Sequence, residues 1–223
     1  PKWFSFIYIL IFLLFLRAWL FYYSNNLTLS YNDARSHLNV ARRVVDNLKP
    51  GIVQIGSVWL PLFHVLELLT IWNNFMFRTG LSGSIISMIS FIGSSIFIVK
   101  LTKLFGLDYK AALVALAVFS LNQNMLFMQA LPMTESLMLF TSLGAIYFFA
   151  KWTKYYRIPA LILSGIFTLL AVMTRYDGWF LFGFISFGVV LVSLFHLGSK
   201  KAEANFVIYS IIGLFLLVLW IGW

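Results

Sequence analysis

The chain has 223 residues, of which 61% are hydrophobic and only 10% are charged; its formal net charge is +9 and it contains no cysteine. Soluble domains are about 45–50% apolar and about 25% charged, so the composition excludes a large soluble domain and predicts an integral membrane protein. The lack of cysteine excludes a disulfide framework and a thiolate metal site. In a membrane protein, positive charge is first explained by topology, and we expect no nucleic-acid partner.

Seven apolar segments have a length that suits a transmembrane helix, which needs about 17–25 residues. In chain order they are residues 3–23, 80–100, 108–129, 134–150, 158–174, 178–198 and 204–222. The first has no small-residue cleavage site after it, so we expect a retained helix rather than a signal peptide. The third is interrupted by Asn122, Gln123 and Asn124. The predicted fold is an all-α, polytopic bundle of about seven transmembrane helices that forms one membrane domain over residues 1–223. We expect further sequence beyond its C-terminal end.

The first loop, residues 24–79, is much more polar than the rest of the chain and is predicted to contain two interfacial helices, near 33–48 and 58–78. In the first of these, apolar residues recur at intervals of three and four and form one stripe; they are Ala34, Leu38, Ala41, Val45 and Leu48. This pattern is typical of an amphipathic helix lying on a membrane surface. Pro50 and Gly51 are expected to end it.

The charged residues predict the orientation of the spans. With the N-terminus in the cytoplasm, each short inner connection is basic, as the positive-inside rule requires; these residues are Lys2, Lys100, Lys103, Lys110, Lys151, Lys154, Arg157, Lys200 and Lys201. The basic residues that fall on the outer side are Arg17, Arg35, Arg42, Arg43, Lys49, Arg78 and Arg175. All but one are arginine, whose planar fork suits phosphate. Topology does not explain them, so we interpret the extracytoplasmic face as the functional one.

Several candidate residues on this outer side also have structural explanations. Asp33 lies in the first turn of the amphipathic helix, where a carboxylate stabilises the helix dipole. Trp59 suits an aromatic anchor at the membrane interface. Glu135 opens a span and is either a dipole partner or a cavity-facing group. Arg175 and Asp177 lie in a short connection, where an arginine can simply anchor at the interface.

The remaining polar candidates are histidines and further arginines. His37 lies four residues after Asp33 and therefore on the same helix face, although a lone histidine is more often an ordinary surface residue. Arg35, Arg42 and Arg43 could bind either a substrate phosphate or anionic lipid headgroups. His37, His64, Asp33 and Glu135 could in principle surround a divalent ion, but no spacing of a known metal motif is present. The residues alone leave a divalent ion open.

Four segments together carry a family resemblance: "YNDARSHLNVARRVVDNLKPG", "QIGSVWLPLFHVL", "ALPMTESLML" and "TRYDGW". They resemble the C-type membrane glycosyltransferases (the GT-C superfamily), in particular the group around protein O-mannosyltransferases and aminoarabinose transferase. The resemblance implies a multi-pass plasma-membrane enzyme that transfers a sugar from a polyprenyl- or dolichyl-phosphate carrier to an acceptor on the extracytoplasmic side. It also implies an acidic residue early in the first outer loop, the place that Asp33 occupies.

On this interpretation, Asp33 is the expected catalytic base and Glu135 a second catalytic group that either orients the acceptor or holds a metal. The resemblance implies that no metal or other cofactor is needed. The expected substrate- and phosphate-binding residues are Arg35, His37, Arg42, Arg43, Arg175, Asp177 and Trp59. The expected reaction is a direct inverting displacement, and the expected partners are the lipid carrier, membrane lipids and further membrane subunits.

Two other functions remain open from the sequence. The chain could be a non-catalytic subunit of a larger membrane complex that keeps the fold and binds lipid without turnover. Its seven spans, against the nine or more usual in the family, and the neutral Asn32 beside Asp33 favour that alternative. A transporter is the third choice, although the polar residues gather at one mouth of the bundle rather than at the membrane midplane, where transporters place their sites.

Overall fold

In the computed structural model, the backbone is described for residues 2–56 and 58–222 and the side chains for residues 9–56, 58–215, 218 and 220. The described chain is 78% helix and contains no strand, which confirms the all-helical prediction. Its helices are α1 (Lys2–Ser24), α2 (Asn32–Val45), α3 (Leu62–Glu67), α4 (Asn74–Thr79), α5 (Leu81–Leu104), α6 (Tyr109–Ser120), α7 (Gln123–Met128), α8 (Thr134–Tyr155), α9 (Ile158–Val172), α10 (Asp177–His196) and α11 (Ser199–Gly222). A short 3₁₀ turn covers Ile52–Gln54.

Two predicted helices are broken in the structure. Segment 108–129 is not one helix, because the side chain of Asn122 accepts a hydrogen bond from the Met125 backbone N–H at 3.1 Å and so starts α7 afresh. Segment 58–78 forms the two short helices α3 and α4, because Asn73 caps α4 through the N–H groups of Phe75 and Met76. Asparagine competes with the helix backbone in this way and therefore favours caps over helix interiors.

Two of the helices, α5 and α10, are long and apolar enough to cross a membrane. Shorter apolar helices cover Ile9–Ser24, α6 and α9. The exposed side of α10 carries large aromatic rings: Phe180 and Phe184 are 72% and 76% exposed, and Phe195 is 80% exposed. Large exposed apolar surfaces of this kind mark contact with lipid or protein rather than with water.

Charged side chains divide between the two ends of the bundle. Helix α8 begins at Thr134, next to Glu135, and ends about 32 Å away at Tyr155, because an α-helix rises about 1.5 Å per residue. At that far end, the Lys154 ammonium donates to the Leu104 carbonyl oxygen at 2.8 Å, which joins the ends of α8 and α5. The rings of Tyr156 and His196 also meet there, with centroids 6.1 Å apart. The candidate site lies at the opposite end, where α8 and α10 begin.

Candidate functional site

Helix α2 contributes Asp33 and His37 to the site. The first three residues of the predicted apolar stripe are buried, with Ala34 and Ala41 fully inaccessible and Leu38 2% exposed. The last two are not, because the helix ends at Val45, three residues earlier than predicted; Val45 is 43% exposed and Leu48, beyond the helix, is 100% exposed. His37 is equally buried at 2% exposed, so it is part of the packed face and not a surface histidine. Asp33 is half-buried and makes no hydrogen bond or ion pair with the described residues. Its carboxylate is therefore uncommitted.

His37 pairs with His64, which α3 contributes. Nδ1 of His37 lies 2.9 Å from Nε2 of His64, so one nitrogen donates and the other accepts. The Trp59 ring covers His37, with centroids 4.7 Å apart. Both histidines are buried, and burial is the main cause that lowers the pKa of His37 to about 4 and the pKa of His64 to about 3. The pair is therefore uncharged at neutral pH.

Arg175 joins three residues from two other parts of the chain. Its Nε donates to Oδ2 of Asp177 at 3.0 Å, and its Nη1 donates to Oε1 of Glu135 at 2.9 Å and to Oγ1 of Thr134 at 3.2 Å. Nη2 makes no hydrogen bond with the described residues. The Arg175 side chain is 38% exposed, so this edge of the guanidinium can take a further partner.

The two groups converge on His37. After burial, the next influences on the His37 pKa are the Asp33 carboxylate, which raises it, and the Arg175 guanidinium, which lowers it. Both charges therefore lie within electrostatic range of the same imidazole ring. We call Asp33, His37, His64, Glu135 and Arg175 the His–Arg cluster; it brings together segments more than 100 residues apart in sequence.

Hydrogen bonds from α5 hold the segment that precedes Glu135. Ser84 Oγ donates to the Ala130 carbonyl at 2.7 Å, and Ser87 Oγ bonds the carbonyl oxygens of Leu131 and Met133 at 2.8 and 3.1 Å. Both serines are fully buried. These hydrogen bonds fix the position at which α8 starts and therefore the position of the Glu135 side chain.

Two further hydrogen bonds tie the α3 region to the segment that carries Arg175. The Leu62 N–H donates to the Met173 carbonyl at 3.0 Å, and the Tyr176 hydroxyl donates to the Val58 carbonyl at 3.1 Å. His64 and Arg175 are thus positioned by contacts between their own chain segments.

The remaining arginines of the first loop make no hydrogen bond to the described members of this cluster. The five N–H donors of Arg42 are all engaged, by Asp46, Asn74 and the carbonyl oxygens of Ile71 and Trp72. Arg42 therefore ties α2 to the α3–α4 region and has no donor left for a phosphate. Arg43 is exposed and donates to the Asn39 carbonyl, while its charge contributes to lowering the His64 pKa. Arg35 lines a separate cavity.

Sequence reasoning missed one buried acid beside the cluster. Glu67 lies one turn after His64 on α3 and is fully inaccessible, and neither carboxyl oxygen has a hydrogen-bond partner among the described residues. Burial raises its pKa well above the ordinary range, so the carboxyl keeps its proton. Its Oε1 rests on the bare backbone of Gly83 in α5, only 2.6 Å from where a Cβ would stand. The sequence signal is an acid inside the apolar run LFHVLELL.

The arrangement contains carboxylates, neutral imidazoles and a guanidinium but no evident metal centre. Within the part of the chain that the structure describes, no group of three or more His, Asp or Glu side chains is placed to hold a metal ion. No known protein family, curated protein or solved structure matches the chain. The interpretation of the site therefore depends on its own geometry and chemistry.

Proposed function

We propose that the chain is a multi-pass membrane protein that transfers a sugar from a polyprenyl- or dolichyl-phosphate carrier to an acceptor on the extracytoplasmic side of the plasma membrane. The observation that carries this proposal is the convergence of Asp33, His37, His64, Glu135 and Arg175 from distant segments. The stability of the individual helices does not require these residues to lie near one another. The apolar helices α5 and α10 and the exposed rings of α10 support insertion into a membrane.

The cluster contains the two groups that sugar transfer needs. Asp33 accepts the proton of the acceptor hydroxyl while the hydroxyl oxygen forms its bond to the anomeric carbon. The bond between that carbon and the carrier phosphate breaks, and its electron pair leaves with the phosphate oxygen. Arg175 stabilises the charge that develops there, through the Nη2 edge that has no partner among the described residues. Attack opposite the leaving group inverts the anomeric centre.

The other members of the cluster hold these groups in place. His37 lies beside Asp33 on the same helix face and, being neutral, does not neutralise the carboxylate. Glu135 orients the Arg175 guanidinium through a 2.9 Å bond, and its second oxygen is buried without a partner among the described side chains. That oxygen would reach an acceptor hydroxyl only after a change in the Glu135 side-chain conformation, so Glu135 serves first to position Arg175. Trp59 covers the histidine and offers an apolar face to a sugar ring.

The test is transfer from synthetic polyprenyl-phosphate sugars by the purified chain and by Asp33→Asn. Loss of the proton acceptor is expected to lower the rate by about 10²–10⁴, while the amide keeps the shape of the first turn. Asp46→Asn is the matched control, because Asp46 is an exposed carboxylate at the end of the same helix that pairs only with Arg42. Thermal melts check folding. Equal transfer by wild type and Asp33→Asn would eliminate Asp33 as the base.

A non-catalytic subunit is the second candidate, and the pairing of the arginines favours it. Arg42 has no free donor, and Arg175 already contacts two carboxylates, so less positive charge is open to a phosphate than the sequence predicts. If the wild-type chain transfers no sugar from a broad donor panel yet is recovered from membranes in a stable complex with other subunits, this second function replaces the first.

A further inference from the structure

A second polar cavity, of about 430 Å³, lies where α1 ends and α4 meets α5. Its lining residues are Tyr23, Ser24, Asn26, Thr28, Leu29, Arg35, Arg78 and Thr79. None of them belongs to the His–Arg cluster. Two guanidinium groups therefore share one concavity, and no carboxylate is among the lining residues. Like charges brought together without a counter-charge favour an anion as the missing partner.

Hydrogen bonds between the lining residues fix the walls of the cavity. Arg35 Nε donates to the Leu29 carbonyl at 3.1 Å, which fixes the stem of the side chain and leaves its two terminal nitrogens without a partner in the described chain. The Thr28 hydroxyl donates to the Thr79 carbonyl at 3.1 Å and joins the two walls. Arg78 makes no hydrogen bond or ion pair with the described residues. The donors that remain include those of the two arginines, the Asn26 amide and the Tyr23 hydroxyl, which match the oxygens of a phosphate group.

The position of the cavity indicates where the anion comes from. It lies at the C-terminal end of α1, directly beyond an exposed apolar surface on that helix. Leu16 is 37% exposed, Leu20 is 49% exposed and Phe21 is 57% exposed. A molecule with acyl chains along this surface would place its headgroup at the height of Arg35 and Arg78. A free phosphate ion would use the same donors but not the apolar surface.

We propose that the Arg35–Arg78 cavity binds a phosphate group, supplied by an anionic membrane lipid whose chains lie along α1. This site is separate from the one proposed for sugar transfer and does not depend on it. It gives Arg35, which the sequence assigned to the carrier phosphate at the catalytic site, a different ligand. Arg78, to which sequence reasoning gave no role, becomes the second half of the site.

The experiment measures lipid retention by the full chain. The purified protein is placed in bilayer discs of phosphatidylcholine, with and without phosphatidylglycerol, and retained lipid is identified by native mass spectrometry. Arg78→Gln is the cleaner variant, because Arg78 bonds no described residue; Arg35→Gln also loses its bond to Leu29. Lys49→Gln is the control, because Lys49 is an exposed cation of the same loop that does not line the cavity.

Each arginine variant is expected to weaken phosphatidylglycerol binding about tenfold or more, since a hydrogen bond to a charged group contributes that much, while Lys49→Gln binds like wild type. Inorganic phosphate is titrated in parallel by thermal melt. Protection by phosphate that is lost in Arg78→Gln, without selective phosphatidylglycerol retention, assigns the site to free phosphate. Equal losses in all three variants would mean diffuse attraction to positive charge and would overturn the proposal, as would wild-type binding by both arginine variants.

Discussion

The buried histidine pair makes the stability of the protein depend on pH in a way that one substitution can isolate. The pKa of His37 falls from 6.5 in the unfolded chain to about 4 in the folded one, mainly through burial. The unfolded chain therefore takes up a proton first as the solution becomes acidic. The stability that His37 contributes is fully present above about pH 6.5 and is lost as the pH falls towards about 4.

The size of this effect follows from the shift. One pKa unit corresponds to about 1.4 kcal/mol, so moving from about pH 7 to about pH 5 removes roughly 2 kcal/mol of unfolding free energy through His37 alone. His64 acts in the same direction, because its pKa falls to about 3. Glu67 acts in the opposite direction, because its raised pKa means that the folded carboxyl is stabilised at low pH and penalised as the pH rises. The pH dependence of the wild-type unfolding free energy is therefore less informative than its difference between variants.

His37→Gln is the informative perturbation. It is expected to lower stability at neutral pH, because a buried hydrogen bond to His64 is disturbed, at a cost of about 1–3 kcal/mol. It should also reduce the loss of unfolding free energy between about pH 7 and about pH 5 by roughly 2 kcal/mol, which is the part that titration of His37 contributes. Glu67→Gln should do the reverse and steepen the acid-induced loss. The measurement is the unfolding midpoint in detergent at the two pH values.

His196→Gln provides the matched control. His196 is exposed and lies at the far end of the bundle, where its ring meets that of Tyr156. Its removal should leave the buried His37–His64 pair undisturbed, and its melts serve as the reference for losing a histidine outside the site. If His37→Gln loses the same free energy on acidification as the wild type, His37 is not held neutral by burial, and the electrostatic description of the site fails. A slope that flattens equally in His196→Gln would point to a general effect of histidine content.

Three further predictions follow from side-chain packing and are measured by thermal melts. Gly83→Ala should destabilise the protein by about 1–3 kcal/mol, because its Cβ would stand 2.6 Å from the Glu67 carboxyl and 2.8 Å from the Pro132 backbone. Gly183→Ala is the control: no atom lies within 4 Å of its Cβ, so the substitution should stabilise α10 by about 0.5–1 kcal/mol. Ser87→Ala should cost about 0.5–1.5 kcal/mol, because the buried hydroxyl hydrogen bond that the Leu131 and Met133 carbonyl oxygens share is lost, although the Leu131 carbonyl keeps the Met133 N–H as a donor. Arg42→Lys should destabilise by about 1–3 kcal/mol, because an ammonium cannot reproduce the five-donor fork, yet leave transfer by the folded protein unchanged.

The sequence predicts the long helices well and their interruptions poorly. Uninterrupted apolar runs identify α1, α5, α8, α9, α10 and α11 to within a few residues, because hydropathy over such a length dominates every other signal. The breaks at Asn73 and Asn122 depend on single side chains capping a new helix. The sequence identifies the polar residues at 122–124 as an interruption, but it does not show that Asn122 and Asn73 each start a new helix by capping it.

The sequence identifies the charged residues of the candidate site better than the contacts that bring them together. Asp33, Glu135 and Arg175 stand out from the sequence because charge is scarce around them. Their common position depends on contacts that no local pattern encodes, such as the bond from the Leu62 N–H to the Met173 carbonyl. Arg42 carries the same local signal as Arg175 and turns out to have every donor engaged, so a scarce charge identifies a candidate but not its role.

In the proposed transfer, Asp33 acts on the acceptor hydroxyl and Arg175 on the departing phosphate. A protonated His37 would pair with Asp33 and remove its capacity to accept a proton, and it would also repel the Arg175 guanidinium. Burial lowers the pKa of His37 to about 4, so the ring is uncharged at neutral pH and does not compete with either group. The cluster leaves Asp33 and the Nη2 edge of Arg175 unpaired within the described chain, and these are the two groups that the proposed transfer uses.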